Sequence, residues 1–246
     1  VLAEKNSYEA NVEIRDYFQE VLKPAGFVNS KGYQIMSLDA SDNHSGDQHK
    51  KFCSDCAQND QLAGCYGTPF SLWWGKNDFP REDYIFYDNA WCRDPTHPIT
   101  KKDIQEWVAS VAADGFKWIK IDFVNCGIIQ ADSYYDKNVH TAVEAYSQGM
   151  KYLMAKAKAK GLFVALSIAP LFPHQYGHSR RIACDTWGRI GWSSYSMNAI
   201  SNGWWTDRLY QYNDPDGLVM IGKEDQYAST EGENRARITN GVVSGM

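Results

Sequence analysis

At 246 residues, 43% of them hydrophobic, the chain can bury the core of one large α/β domain or two small ones. Its formal net charge of −5, with no long run of Lys or Arg, argues against a nucleic-acid-binding surface. No stretch of about 18 apolar residues marks a membrane span.

Strand-like and helix-like segments alternate along the chain. EANVEIRDYFQEVLKPAG (9–26) has apolar residues at helical spacing and stops at Pro24 and Gly26. YQIMSLD (33–39) reads as a strand, as does TPFSLWWG (68–75). TKKDIQEWVASVAADG (100–115) is an amphipathic helix with Thr100 as its expected N-cap and Gly115 as its stop. KWIKIDFV (117–124) is a strand, followed by a long helix ending at Gly161 and a strand LFVALSIA (162–169). RRIACD (180–185) is a short strand, and SSYSMNAISNGWWTDRLYQ (193–211) has helical character. GLVMIG (217–222) is a further strand, and ENRARITNGVVSG (233–245) opens a helix.

This alternation predicts a parallel sheet, either doubly wound or closed as an eight-fold barrel. The barrel is favoured. No G-x-G-x-x-G loop occurs, and polar residues gather at the C-terminal ends of strands: Asp39, Asp122, Asp185, and Ser167 on the strand ending at Ala169. The expected fold is therefore an α/β (β/α)8 TIM-type barrel. With about six strands in view, and with a first residue Val1 and a last residue Met246, residues 1–246 read as a single-domain barrel fragment truncated at both ends.

The six cysteines are Cys53, Cys56, Cys65, Cys92, Cys126 and Cys184. An even count fits bridges in an exported protein as well as buried thiols in a cytosolic one. Cys92 and Cys126 are the expected bridge if the protein is exported. CSDC (53–56) has zinc-knuckle spacing, but no second CxxC follows, and no metal or other cofactor is expected.

Chemistry is concentrated on two strands. On KWIKIDF, side chains alternate, so Trp118, Lys120 and Asp122 share one face while Ile119, Ile121 and Phe123 share the other. Two charges on a dry inner face would be costly. They make sense at a wet barrel mouth, or as a structural Lys–Asp pair at a strand end. On SRRIACD, Arg181, Ala183 and Asp185 share a face, which sets a second carboxylate at a strand end. Two carboxylates on opposite sides of a bond are what glycoside hydrolysis requires.

KWIKIDF, the R-x-x-x-D of RIACD, and YNDPDGLVMIG occur here in an order and spacing that resemble the clan of retaining α-galactosidases and α-N-acetylgalactosaminidases, glycoside hydrolase families twenty-seven and thirty-six. DPTHPITKKDIQEWV resembles the segment before the nucleophile strand in the bacterial branch, and the resemblance runs from about Tyr33 to Met246. It implies that Asp122 is the nucleophile and Asp185 the general acid and then base. Lys120 and Arg181 would hold sugar hydroxyls beside them, and Asp39 would hold hydroxyls on the far side of the sugar. Asp214 and Asp216 of NDPD would shape the site; an Asp-Pro turn is the plainer reading. A lysine beside Asp122 favours its charged form, whereas Arg181 would work against a protonated Asp185 unless it points toward substrate.

Aromatic residues make up 14% of the chain, including nine Trp, which suits sugar surfaces and a large core alike. One of the adjacent Trp73 and Trp74 is expected in the core and the other, taken as Trp73, under a sugar. Trp187, Trp192, Trp204 and Trp205 follow Asp185 as further candidates, and His174 and His178 as pocket-lining ones. His97 reads as a loop hydrogen-bonder.

The expected partner is therefore a carbohydrate, an oligosaccharide or glycoconjugate, and the expected activity is retaining hydrolysis of terminal α-galactoside-like residues. A transglycosylase of the same clan and an inactive carbohydrate-binding barrel are the alternatives. A secreted, periplasmic or cell-surface location follows from that substrate class. In the galactosidases of this clan the strand matching YQIMSLD ends in two adjacent aspartates; here it ends Asp39-Ala40, which implies altered handling of the C6 end of the sugar.

Overall fold

The computed structural model describes residues 7–39, 41–72, 81–87, 90–171, 176–186, 189–210, 212–216 and 230–244. The chain divides into two compact units, Val1–Val164 and Ala165–Met246.

In the first unit, α1 (Tyr8–Tyr17) runs on as one π-helical stretch, Phe18–Leu22. Then follow β1 (Gln34–Leu38), α2 (Gly46–Gln58), β2 (Gln61–Gly67), β3 (Ser71–Leu72), β4 (Tyr84–Tyr87), β5 (Ala90–Arg93), α3 (Pro98–Asp114), β6 (Trp118–Ile121) and α4 (Ala142–Ala159). Strand β7 (Phe163–Leu166) carries the boundary between units. The strands pair in the order β1-β2-β6-β7, with β1–β2 and β2–β6 parallel. Leu38, Cys65, Ile119, Ile121 and Val164 of these strands are fully buried, as are Tyr146, Met150 and Leu153 of α4.

Local chemistry starts and stops the helices. Ser45 and Gln48 form a reciprocal capping box on α2, as Thr141 and Glu144 do on α4, so orphan N–H groups of the first turn are satisfied. Gly115 ends α3 at φ +108°, a left-handed conformation that costs glycine little. Thr100 is not the cap of α3. His97 caps it, its Nδ1 accepting from the Ile99 N–H at 3.2 Å, with Pro98 in the first turn. Thr100 instead lies buried and donates to Asp83 Oδ2 at 3.0 Å. The same oxygen accepts from Arg93 Nε and Nη2 at 2.8 and 2.6 Å, which ties the end of β5 to α3.

In the second unit, the end of β7, β8 (Ser179–Arg181) and β9 (Tyr212–Asp214) pair in parallel in that order. Helices α5 (Ile190–Gly203) and α6 (Glu231–Ser244) accompany them.

Several segments differ from the sequence reading. The strand part of RRIACD ends at Arg181, and Ile182–Asp185 is loop, with the Ile182 N–H making one last ladder bond to the Asp214 carbonyl at 2.7 Å. Likewise β6 stops at Ile121. Phe123 takes a left-handed φ of 48° and leaves the strand, so it does not share the apolar face of Ile119 and Ile121. TPFSLWWG contributes only Ser71–Leu72 to the described strands, and that pair joins an antiparallel sheet, order β3-β5-β4, rather than the parallel one. GLVMIG (217–222) lies outside the described residues, and the strand seen before it, YND, was unexpected.

The Cys53 and Cys56 of CSDC sit on the buried face of α2, where burial pushes both thiols up to about 12. Among the described residues no group of three or more His, Cys, Asp or Glu could hold a metal ion, and no helix is long and apolar enough to cross a membrane. Cys92 and Cys126 are buried free thiols whose side chains hydrogen-bond to each other, so the pair is adjacent but unbridged.

Candidate active site

Two clusters of charged side chains stand at strand ends, one in each unit. In the first unit the register of the parallel strands builds the cluster. Pairing of β2 with β6 sets Tyr66 beside Lys120 and Gly67 beside Ile121. Gly64 and Gly67 are required here, because a Cβ on either would collide with the indole of Trp118 or of Trp107. Lys120 Nζ then lies 5.3 Å from the centroid of the Tyr66 ring, 3.3 Å from Asp39 Oδ1 and 3.7 Å from Asp122 Oδ2.

The two carboxylates differ in surroundings. The Asp39 side chain, just past β1, is 65% exposed, whereas that of Asp122, just past β6, is 10% exposed. The Asp122 backbone N–H donates to the Gly67 carbonyl at 2.9 Å, extending the β2–β6 ladder by one residue. Its Oδ1 accepts the Phe123 N–H at 2.8 Å, and that bond accompanies the left-handed turn at Phe123. Non-glycine residues in this conformation cost of order 1–3 kcal/mol and persist where surrounding structure fixes them. The result is a nearly buried carboxylate with one oxygen anchored to backbone and the other beside a lysine ammonium.

In the second unit the buried guanidinium of Arg181 organises the cluster. Its Nη2 donates to Asp185 Oδ1 at 2.5 Å, its Nη1 reaches Asp216 Oδ1 at 3.4 Å, and its Nε donates to the Ala183 carbonyl at 3.1 Å. Arg181 therefore points at the Asp185 carboxylate, the orientation that the sequence left open. Four residues of loop return Asp185 to the guanidinium, a closure that strand alternation could not foresee. Asp185 is solvent-exposed, its side chain at 59%.

Asp216 acts on the same loop. Its Oδ2 accepts the Thr186 N–H at 2.5 Å. Asp216 itself has a left-handed φ of 74°, fixed by its own N–H donating to Asp214 Oδ1 at 2.8 Å across Pro215. The Asp-Pro turn is thus real, and it delivers Asp216 to Arg181 and Thr186.

Other candidates fare unevenly. Trp73, Trp74, His174 and Trp187 lie outside the described residues, as does Ala40. Trp192, Trp204 and Trp205 are exposed on α5 and the 3-10 turn after it, and the Trp205 Nε1–H donates to the Asn202 carbonyl at 3.1 Å. His178 is half-buried just before β8, and His97 is the buried cap of α3. Sequence reasoning missed Tyr66 and Thr186. The pairing of β2 with β6 was the only signal for Tyr66, and β2 itself was not recognised.

No protein-family model matches the chain, and no curated protein matches it by sequence. Solved structures do resemble it. An α-galactosidase from Thermus thermophilus, in complex with stachyose, superposes with a TM-score of 0.68 at 14% identity, covering 94% of this chain and 56% of its own. A GH27 β-L-arabinopyranosidase from Geobacillus stearothermophilus, in complex with arabinose, gives 0.65 at 13% identity, covering 96% of this chain and 66% of its own. An α-N-acetylgalactosaminidase from Bifidobacterium bifidum gives 0.54 at 10% identity, covering 97% of this chain and 46% of its own. The chain thus spans about half to two thirds of the length of these structures. The likeness establishes the fold, α/β of the (β/α)8-barrel type, and the enzymes named are of the clan that the motifs resemble.

Proposed function

We propose that this chain carries the catalytic residues of a retaining α-glycosidase acting on terminal α-galactoside-like sugars. The observation that carries the reading is the state of Asp122: nearly buried at a strand end, one oxygen tied to the Phe123 N–H and the other 3.7 Å from Lys120 Nζ. The barrel fold and the order of the motifs support the same reading.

In the proposed reaction an Asp122 oxygen attacks the anomeric carbon while Asp185 gives its proton to the departing glycosidic oxygen. The bond from the anomeric carbon to that oxygen breaks, and a glycosyl ester of Asp122 forms. Asp185, now a carboxylate, takes a proton from water as the water attacks the anomeric carbon, which frees Asp122 and restores the acid. Lys120 and Asp39 hold sugar hydroxyls. In the free protein the Asp185 carboxyl is held by Arg181, so the first step requires Arg181 to release it on substrate binding. Asp216, already 3.4 Å from Nη1, is the partner to which the guanidinium turns.

The sugar is proposed to be galactose-configured, with tolerance at C6 because Asp39 is followed by alanine; a β-L-arabinopyranoside is the variant lacking C6. The proposed location is extracytoplasmic, where such glycosides are met. A 2-fluoro-galactosyl fluoride tests the reading: mass-spectrometric peptide mapping should place the trapped sugar ester on Asp122, and NMR should show retained anomeric configuration. An inverted product, or a label elsewhere, would overturn it.

A further inference from the structure

A recess of about 610 Å³ opens on the first unit between the early turns of α3, the middle of α4 and the segment 129–141. Thr96, Lys101, Lys102, Tyr135, Lys137 and Tyr152 are among its lining. It shares no lining residue with the Lys120 cluster.

The recess is built, not incidental. The segment carrying Tyr135 and Asp136 is pinned by buried groups of the DPT stretch: the Tyr135 N–H donates to Asp94 Oδ2 at 2.7 Å, and the Asp136 N–H to Thr96 Oγ1 at 3.2 Å. Asp94 is in turn fixed by the Thr96 N–H and hydroxyl at 2.8 and 2.7 Å. From the α4 side, Gln148 donates to Asp136 Oδ2 at 2.8 Å.

Its charge is opposite to that of the chain. The whole sequence carries −5, yet the lining holds three lysines against one carboxylate, Asp136. Outside the lining, Glu106 stands 3.8 Å from Lys102, and the buried Asp94 carboxylate is spent on the Tyr135 and Thr96 N–H groups. Lys101 and Lys137 donate to neutral oxygens, Gln148 Oε1 at 2.9 Å and the Tyr134 carbonyl at 2.7 Å, which satisfy hydrogen bonds without cancelling charge. Beside them Tyr135 is 55% exposed, its ring set edge-on against buried His97 with centroids 4.5 Å apart. Tyr152 is held by its hydroxyl to Gln105 Oε1 at 3.0 Å. Ammonium groups beside pre-set aromatic rings, in a recess of ligand size, match a ring with an apolar face and an acidic substituent.

We propose that this recess binds an anionic saccharide, one bearing a carboxylate or sulfate, at a site separate from the candidate catalytic residues. The proposal stands on these residues and not on the glycosidase reading. The test is calorimetry at low salt on the intact chain, with digalacturonate, neutral galactobiose, and sodium sulfate at matched ionic strength as probes. Digalacturonate should bind, and the double variant Lys101→Gln/Lys137→Gln should weaken it about tenfold or more, the effect of losing at least one charged hydrogen bond. Lys101→Arg/Lys137→Arg should retain binding. Aryl glycoside hydrolysis, measured on the same samples, should be unchanged by either variant, so failure here is distinct from failure of the catalytic reading. Equal binding of galactobiose, equally tight binding by sulfate alone, or wild-type affinity in the Gln variant would each overturn the proposal.

Discussion

Asp216 accepts the backbone N–H of Thr186 at 2.5 Å and so fixes the residue immediately after Asp185. Through Arg181, 3.4 Å away, it also touches the guanidinium that holds the Asp185 carboxylate. Asp216→Ala should therefore loosen the loop that carries Asp185 without removing Asp185. A misplacement of about 1 Å can cost on the order of 10²-fold in rate, so kcat/KM on an aryl α-galactoside is expected to fall by ten- to a hundredfold. Asp216→Asn keeps an acceptor for Thr186 and should recover part of the loss. Steady-state kinetics on the two variants, with thermal unfolding alongside, checks this; equal losses in both would show that charge, not the loop bond, matters.

Replacing Asp122 by alanine removes the proposed nucleophile together with a single backbone hydrogen bond to Phe123. Activity should be lost almost entirely while the fold remains, since a hydrogen bond to a carboxylate contributes only about 1.5–3 kcal/mol and Lys120 keeps Asp39 as a partner. Azide should restore part of the turnover by attacking the anomeric carbon in place of the carboxylate. Circular dichroism and product analysis with and without azide read the two halves of this outcome. Near-wild-type turnover in the variant would remove Asp122 from the reaction.

The ring of Tyr66, not its hydroxyl, faces Lys120 Nζ at 5.3 Å. A cation–π contact of this kind is worth about 0.5–2 kcal/mol. Tyr66→Phe should leave kcat/KM within about twofold, and Tyr66→Leu should lower it roughly three- to thirtyfold, the same energy expressed as a rate. Kinetics of both variants decides between a positioning ring and a hydroxyl that meets the sugar.

Five of the six cysteines are buried, and only Cys184, beside Asp185, is exposed. A thiol reagent at pH 8 should label one site in the reduced native protein and six after unfolding. In air-oxidised protein the unfolded count should drop to four if Cys92 and Cys126 have joined. Burial also holds Cys53 and Cys56 as neutral thiols up to about 12, from an ordinary value of 9.0. The unfolded chain loses these protons first, so their contribution to stability is complete below about pH 9 and is lost as pH rises toward about 12. Urea unfolding across that range, compared with Cys53→Ala, measures it.

The strand that carries Lys120 and Asp122 was legible because β-branched Ile119 and Ile121 alternate with them and land buried as alternation requires. The adjoining β2, QLAGCYG, was not. Two of its seven residues are glycines, which deplete strand propensity and remove the alternating pattern. Their reason is three-dimensional: the indoles of Trp118 and Trp107 occupy the space that side chains would need. Helix α2 was hidden by its CxxC, which looks like metal spacing but is simply two buried positions one turn apart on a helix beside Phe52. For Asp185 the motif spacing drew attention to the right loop, but a strand face cannot predict that the loop folds back onto Arg181.

Asp39 is 65% exposed at its side chain and 3.3 Å from Lys120 Nζ, so one carboxylate is in place beside the ammonium at the end of β1. The sequence follows it with Ala40, where the resembling galactosidases carry a second aspartate. A sugar hydroxyl left without an acceptor costs about 1–3 kcal/mol, which is about five- to a hundredfold in affinity. A sugar without the C6 hydroxymethyl forfeits nothing there. Aryl β-L-arabinopyranoside should therefore be turned over at least as well as aryl α-galactoside, and Ala40→Asp should shift the ratio of their kcat/KM values toward galactoside about tenfold or more. The shift should appear in the galactoside arm, because only that substrate gains an acceptor. Were galactoside strongly preferred by the unaltered protein, with no gain from Ala40→Asp, the missing carboxylate would not be what sets specificity.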